Sequence, residues 1–379
     1  MKTCVKNAAL SMLSISALLF AGCSKTEQAS LPTDGAAVEM LLSAGSVKVP
    51  GSISAKNTRA VIDSSYETDL EVAFARLDQD TDGNYPADYT DAEALPATWK
   101  VNTTSNTLPA KDEDASNIVF DTKQYYISRS ANNSSKLVGW YPDNEVADGV
   151  VTFDIDGETD VMLTEVLEGN KNAKFGIYDA TAPTDPAKTK IFHFEHQLAL
   201  LKVKAYATDA DAEKVWGKIK SIVIKDQLPE CKITLPATVE FEGEAADLDL
   251  VKKLVADDSD IEYDLSVGIA DQPADPEEGD DEEAAEPAEG EEPAELKNNA
   301  VECGYALIPP VKAAEDATLT LVVETVEGGK LDVTVPADKG FEAGTSYDIV
   351  LKFTAVTIEP KATITDWVPS EEGEIEITL

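Results

Sequence analysis

Apolar and polar residues alternate along most of this chain in short runs with a period of two, as expected of strands that bury one face. Beyond residue 60 the alternation predicts strands at 70–77, 118–127, 136–141, 149–155, 159–167, 191–207, 218–224, 261–267, 305–308, 318–325, 330–335, 346–355 and 362–367. Val326-Glu327-Gly328-Gly329 joins two of these runs and reads as a hairpin turn. Only 209–215 carries helical spacing, and it is short. Many short strands joined by Gly, Pro, Asn and Asp mean an all-β protein built of sandwiches, and 379 residues favour two of them. Thr181-Ala182-Pro183-Thr184-Asp185-Pro186 interrupts the pattern before the long run from Ile191. This divides an N-terminal sandwich, 60–188, from a C-terminal one, 189–379.

Two segments stand outside that pattern. Residues 38–49 form an apolar, strand-like run between a polar tether at 24–37 and a second polar stretch, 52–58, that leads to Arg59. Residues 271–295 hold 13 acids and no base, the rest being mostly Ala, Pro and Gly. Such a segment cannot bury enough apolar surface to offset the entropy of ordering it. It is expected as a solvated acidic insert in the C-terminal sandwich. Within it no spaced Asp-x-Asp-x-Asp-Gly sequence is present to fix Ca²⁺ coordination.

The first residues describe an export signal. Lys2 and Lys6 precede an apolar stretch from Ala8 to Phe20, too short to span a bilayer, and Ala21, Gly22 and Cys23 follow. Leu18-Leu19-Phe20-Ala21-Gly22-Cys23 resembles a lipobox, with Phe20 where Leu is commoner. That reading makes 1–22 a signal peptide and Cys23 the lipidated first residue of the mature chain, held at the outer membrane by more than one acyl chain. No later run of about 20 apolar residues offers another membrane span.

Charge and candidate chemistry narrow the function. Without Lys2 and Lys6 the chain carries 29 basic against 72 acidic residues, a net charge of −43. A field of that sign repels phosphate backbones, which excludes nucleic acid as a partner. Cys231 and Cys303 either pair or stay as buried thiols, and their separation of 72 residues does not decide between the two. The only histidines, His193 and His196, alternate on a predicted strand and so point to opposite faces, a poor start for a metal site. No Gly-x-Ser-x-Gly elbow, His-Glu-x-x-His pair or phosphate-cradling loop is present, and four scattered tryptophans do not build a sugar platform. Neither a catalytic residue, a metal ligand nor a cofactor is expected, and the chain is not read as an enzyme.

Several segments, in order, resemble the fimbrillin family of Bacteroidia, the subunits of type V pili. After the lipobox come Asn57-Thr58-Arg59-Ala60-Val61-Ile62, Val138-Gly139-Trp140-Tyr141-Pro142 and Phe194-x-His196-x-Leu198-x-Leu200, whose alternation stops at Lys202. Tyr305-Ala306-Leu307-Ile308-Pro309-Pro310, Ala343-Gly344-Thr345-Ser346-Tyr347 and Ile364-Thr365-Asp366-Trp367 complete the series. The resemblance implies two transthyretin-like β-sandwiches, delivery to the outer membrane as a lipoprotein, and assembly into a surface fimbrium that serves adhesion. It implies a trypsin-like maturation protease that cuts between Arg59 and Ala60, freeing the lipidated propeptide 23–59 with its removable strand at 38–49. The partners it implies are other pilus subunits: copies of the same chain, an anchor and a tip. The donor strand that replaces the lost one maps onto 362–379, where Ile375, Ile377 and Leu379 alternate with Glu374, Glu376 and Thr378.

The residues themselves fit this scheme. Arginine occurs only at positions 59, 76 and 129, and Arg59 lies in a polar stretch outside any predicted strand, where extended backbone is open to a protease. Loss of strand 38–49 leaves unpaired backbone groups above an apolar groove, a template for strand addition. About five apolar side chains in that groove contribute on the order of 10 kcal/mol before ordering costs. A shaft subunit is the expectation. The alternative is a surface lipoprotein of β-sandwich domains that binds glycans or host ligands and keeps its anchor.

Overall fold

The computed structural model describes residues 37–45, 62, 68–104, 115–127, 132–176, 190–251, 265 and 300–365. Among them the regular structure is all β-strand apart from one short helix. In chain order the strands of the first half are β1 (Leu42–Gly45), β2 (Leu70–Asp78), β3 (Leu95–Thr104), β4 (Ala115–Phe120), β5 (Ser135–Tyr141), β6 (Val146–Ala147), β7 (Val150–Asp154), β8 (Met162–Thr164), β9 (Leu167–Gly169) and β10 (Phe194–His196). Then come β11 (Ala199–Ala207), the helix α1 (Ala210–Trp216), β12 (Ile219–Gln227), β13 (Glu230–Thr234), β14 (Thr238–Glu242) and β15 (Ala246–Asp249). The last five are β16 (Val301–Ile308), β17 (Thr318–Thr325), β18 (Gly329–Pro336), β19 (Ser346–Phe353) and β20 (Ile358–Thr365).

The strands make four sheets. The largest runs β1-β4-β3-β2-β5-β8-β10, with β9 beside β5. Its even-numbered residues on β2, Leu70, Val72 and Phe74, face one core with Trp99, Ile118, Leu137, Phe192 and Phe194. Its odd-numbered ones, Ala73, Ala75 and Leu77, face a second core. Burial on both faces explains why β2 alternates less cleanly than a solvent-facing strand.

Two four-stranded sheets, β16-β11-β19-β20 and β15-β12-β17-β18, enclose the third core between them. Thr325 pairs with Gly329 at the expected hairpin, and Gly329 has φ +75°, a left-handed turn conformation that glycine adopts without strain. The α1 helix starts where the Asp209 carboxylate accepts the amides of Asp211 and Ala212, a normal N-cap.

The fourth sheet, β14-β13-β7-β6, joins distant parts of the chain: Glu230 to Thr234 of β13 pair with Asp154 to Val150 of β7. Its inward Val151, Phe153, Cys231 and Ile233 share the second core with Trp140, Leu200 and Leu307. The run predicted as one strand at 191–207 is two strands. It breaks at Gln197, where the chain leaves the first sheet for the second. Alternation continues across the break because Leu198 and Leu200 face the second core while Ala199 and Leu201 face the third. Among the described residues no helix is long and apolar enough to cross a membrane.

Candidate functional site

The segment 37–45 lies along a seam of the first sheet. Leu42 to Gly45 pair antiparallel with Ile118 to Ala115 of β4. On the other side the Phe192 amide donates to the Ser43 carbonyl at 2.9 Å, and the Gly45 amide donates to that of Phe192 at 3.0 Å. Ala44 and Phe192 thereby form a parallel bridge just before β10, the strand at the far end of the sheet. Farther up, Met40 donates to the Gln124 carbonyl at 2.8 Å and Tyr126 donates to that of Val38 at 3.0 Å. β1 thus joins the two ends of the sheet and closes it around the first core.

Its side chains alternate as that position demands. Met40, Leu42 and Ala44 are buried in the first core, whereas Leu41 is 50 % exposed. Beneath them lies an aromatic floor: Trp99 stacks on Phe194 at 4.9 Å, Phe74 meets Phe192 edge-on at 5.0 Å, and Tyr126 stacks on Phe175 at 5.8 Å. The Tyr126 hydroxyl accepts the Phe175 amide at 2.7 Å, and burial pushes its pKa up to about 12. Burying Met40 and Leu42 stabilises by about 2 kcal/mol each and Ala44 by less, on the order of 5 kcal/mol together. Val38 packs, partly buried, against the same core, and residues 46–49 of the expected strand lie outside the described residues.

The outer face of β1 is also shaped. Glu39 pairs with Lys123 at 2.9 Å, an exposed ion pair that raises the Lys123 pKa. Ser43 is fully buried. At Gly45 a Cβ would stand 3.1 Å from His193 Cδ2, so the ring occupies the space a side chain would need. Glu165 holds that ring, accepting the His193 amide at 3.1 Å and lying 3.2 Å from Nδ1, and this hydrogen bond raises the His193 pKa.

Of the residues singled out in the sequence, Cys23, Arg59, Ala60, Ile375, Ile377 and Leu379 lie outside the described residues. So do 46–49 of the removable strand and the acidic insert 271–295. Ile62, three positions past Arg59, is 1 % exposed in the same core as Leu42. Residues 362–365 of the segment assigned to the donor belong to β20, where Ala362 pairs with Ile349 and is buried in the third core. Arg76 is locked in β2 by Asp78 at 2.7 Å, with Gln124 and Ser135 also accepting from its guanidinium.

The two histidines part as expected: His193 is half-exposed beside Glu165, while His196 is nearly buried with Nδ1 2.5 Å from Asp160. Asp78-Gln79-Asp80-Thr81-Asp82-Gly83 has the spacing of a cation loop, but its carboxylates do not converge. Asp78 faces Arg76 and Ser135, and Asp80 accepts the amides of Asp82 and Asn84. Among the described residues no three His, Cys, Asp or Glu side chains gather to hold a metal. Cys231 and Cys303 are free thiols in different cores, each pushed up to about 12 by burial.

Sequence reasoning missed Lys123, Gln124 and Phe192, which form the walls of the seam. Phe192 had a signal, because it alternates with Phe194. The other two carry none.

A family model described as fimbrillin-like matches residues 58–367. Among solved structures the chain overlays a candidate cell adhesion protein from Bacteroides uniformis at 15 % identity and a TM-score of 0.49, covering 89 % of this chain and 100 % of that one. A fimbrial assembly protein from Parabacteroides distasonis overlays at 10 % identity and 0.41, covering 87 % and 96 %. The tip fimbrial protein Mfa3 from Porphyromonas gingivalis overlays at 12 % and 0.39, covering 88 % and 100 %. Identity and overlay are low in all three, so the model match alone carries the family assignment. No curated protein matches the chain.

Proposed function

The chain belongs to the fimbrillin-like family, and on that premise we propose that it is a structural subunit of a cell-surface pilus that polymerises by strand exchange. In this reading Cys23 carries lipid and delivers the subunit to the outer membrane, and a trypsin-like protease cuts the Arg59–Ala60 bond. The propeptide 23–59 leaves with β1, and a strand from the tail of a neighbouring copy takes its place. Adhesion is the service of the assembled fimbrium, with an anchor and a tip as further partners. The two sandwiches are assigned to 60–188 and 189–379, with β10 and the β13–β14 hairpin of the second half joining sheets of the first.

The observation that carries the reading is the position of β1. It is a short strand at the very start of the described chain, yet it is paired on both sides and roofs an aromatic core. While it is covalently attached, β1 competes for the groove at the high effective concentration of an intramolecular ligand. A cut at Arg59 abolishes that advantage without touching a contact of β1. Removal leaves two unpaired edges, at β4 and at Phe192, above apolar floor, a site that an extended strand fills with main-chain hydrogen bonds. The fixing of Arg76 inside β2 supports Arg59 as the cleavage site, because a protease needs extended, accessible backbone. The burial of Ile62 anchors the new end of the chain close to the groove.

The test uses the purified precursor without lipid. Treatment with a trypsin-like protease is expected to give one main cut, after Arg59, followed by a ladder of multimers. Arg59→Ala is expected to stay monomeric under the same treatment. Cutting chiefly at lysines, or polymers from Arg59→Ala, contradicts the reading.

A further inference from the structure

We propose that the tail of a second copy enters the groove in the direction of β1 and in one register, residues 374–379 taking the places of 39–44. This rests on the strand-exchange reading above and adds which tail residue meets which part of the groove.

The alternation sets the first condition. Met40, Leu42 and Ala44 point into the core, and the tail offers Ile375, Ile377 and Leu379 on one face with Glu374, Glu376 and Thr378 on the other. Only shifts of two residues keep the apolar face inward.

Ser43 sets the second condition. It stands on the opposite face from Leu42 and Ala44, yet it is 0 % exposed. A carboxylate in that place loses its hydration, which costs several kcal/mol unless a partner meets it. In the proposed register Thr378 takes the place, one hydroxyl for another. Sliding the tail so that Ile375 lies over Leu42 brings Glu376 to Ser43's place and Thr378 to Gly45's. At that second position His193 stands 3.1 Å from where a Cβ would be. Reversing the strand with the same three apolar residues inward again puts Glu376 at Ser43's place. Sliding it the other way leaves the places of Ser43 and Ala44 unfilled.

Charge supplies a third and separate match. Glu39 pairs with Lys123, and the register brings Glu374 to that lysine. Glu376 takes the place of half-exposed Leu41, where a carboxylate stays hydrated. The poorest fit is Leu379 over Ala44, a larger side chain above Phe192.

Cross-linking tests the register. Asn117 lies directly across from Ser43 in the β1–β4 ladder, and Val119 lies two residues farther along β4. The precursor without its leader, carrying Cys23→Ser, is made with Thr378→Cys and Asn117→Cys, and separately with Thr378→Cys and Val119→Cys. Cα atoms facing each other across an antiparallel ladder are at disulfide distance. Cys231 and Cys303 are buried thiols with raised pKa and stay unreactive. After cleavage and mild oxidation the first pair is expected to give denaturant-resistant ladders at a yield about tenfold above the second. Polymers that link mainly through Val119, or through neither position, overturn the register while leaving strand exchange in place. Absence of polymer before oxidation, seen on native gels of the unsubstituted chain, removes the strand-exchange reading and the register with it.

Discussion

At His193 a steric constraint and an electrostatic one coincide. The ring fills the space beside Gly45 and is held by Glu165, whose hydrogen bond raises the His193 pKa above 6.5. A raised folded-state pKa means that folding takes up protons, so the contribution is fully present below the ordinary value and is lost as pH rises through the folded one. The side chain is half-exposed, which keeps the effect small. The stability difference between the wild-type precursor and His193→Gln is therefore expected to be largest near pH 5.5 and to shrink by about pH 8, measured as denaturation midpoints. A difference that grows with pH contradicts the assignment. At this scale the sequence was uneven. The rarity of arginine singles out Arg59 only as a candidate, outside the described residues, whereas Lys123 and Gln124 gain meaning from the fold that brings them beside Glu39 and Met40.

β1 is short, and it is held by Leu42, by Met40 just before it, and by backbone pairing on both sides. Leu42→Ala is expected to destabilise the uncleaved precursor by about 2–4 kcal/mol and to speed strand exchange after cleavage. The finished polymer, from which β1 has gone, is expected to resist denaturant as the wild-type polymer does. An equal loss in both forms means that β1 stays in place.

The strands that alternation revealed are those with one clear apolar face. The hairpin of β17 and β18 was readable to within a residue because its turn carries Gly328-Gly329 between clean runs. β3 escaped notice because Pro96 and a polar second half, Asn102-Thr103-Thr104, resemble loop. β13 and β14 escaped for a different reason. They alternate cleanly, with Cys231 and Ile233 on one strand and Val239 and Phe241 on the other, but each run is only five residues long and offers two apolar positions, too few to stand out before the pairing with β7 is seen. The doubly paired position of β1 could not be read at all, because it depends on Phe192, some 150 residues away.

At the scale of the molecule, the fourth sheet ties β7 to β13, and the second core draws Trp140, Phe153, Ile233 and Leu307 into one cluster. From Ala60 onward the chain carries 25 basic and 69 acidic residues, a net charge of −44 that opposes association between copies, so the proposed joining contact has to be short-ranged and apolar, as a strand in the β1 groove is. The all-β class was readable from the alternation. The sharing of a sheet between the two halves of the chain was not, because strand pairing between distant segments leaves no local mark. The most direct measurement of the central claim is the N-terminal residue of the protein recovered from fimbriae at the cell surface. The account predicts Ala60, with no lipid. Recovery of an intact chain that begins at lipid-modified Cys23 contradicts it and returns the protein to a permanently anchored surface lipoprotein.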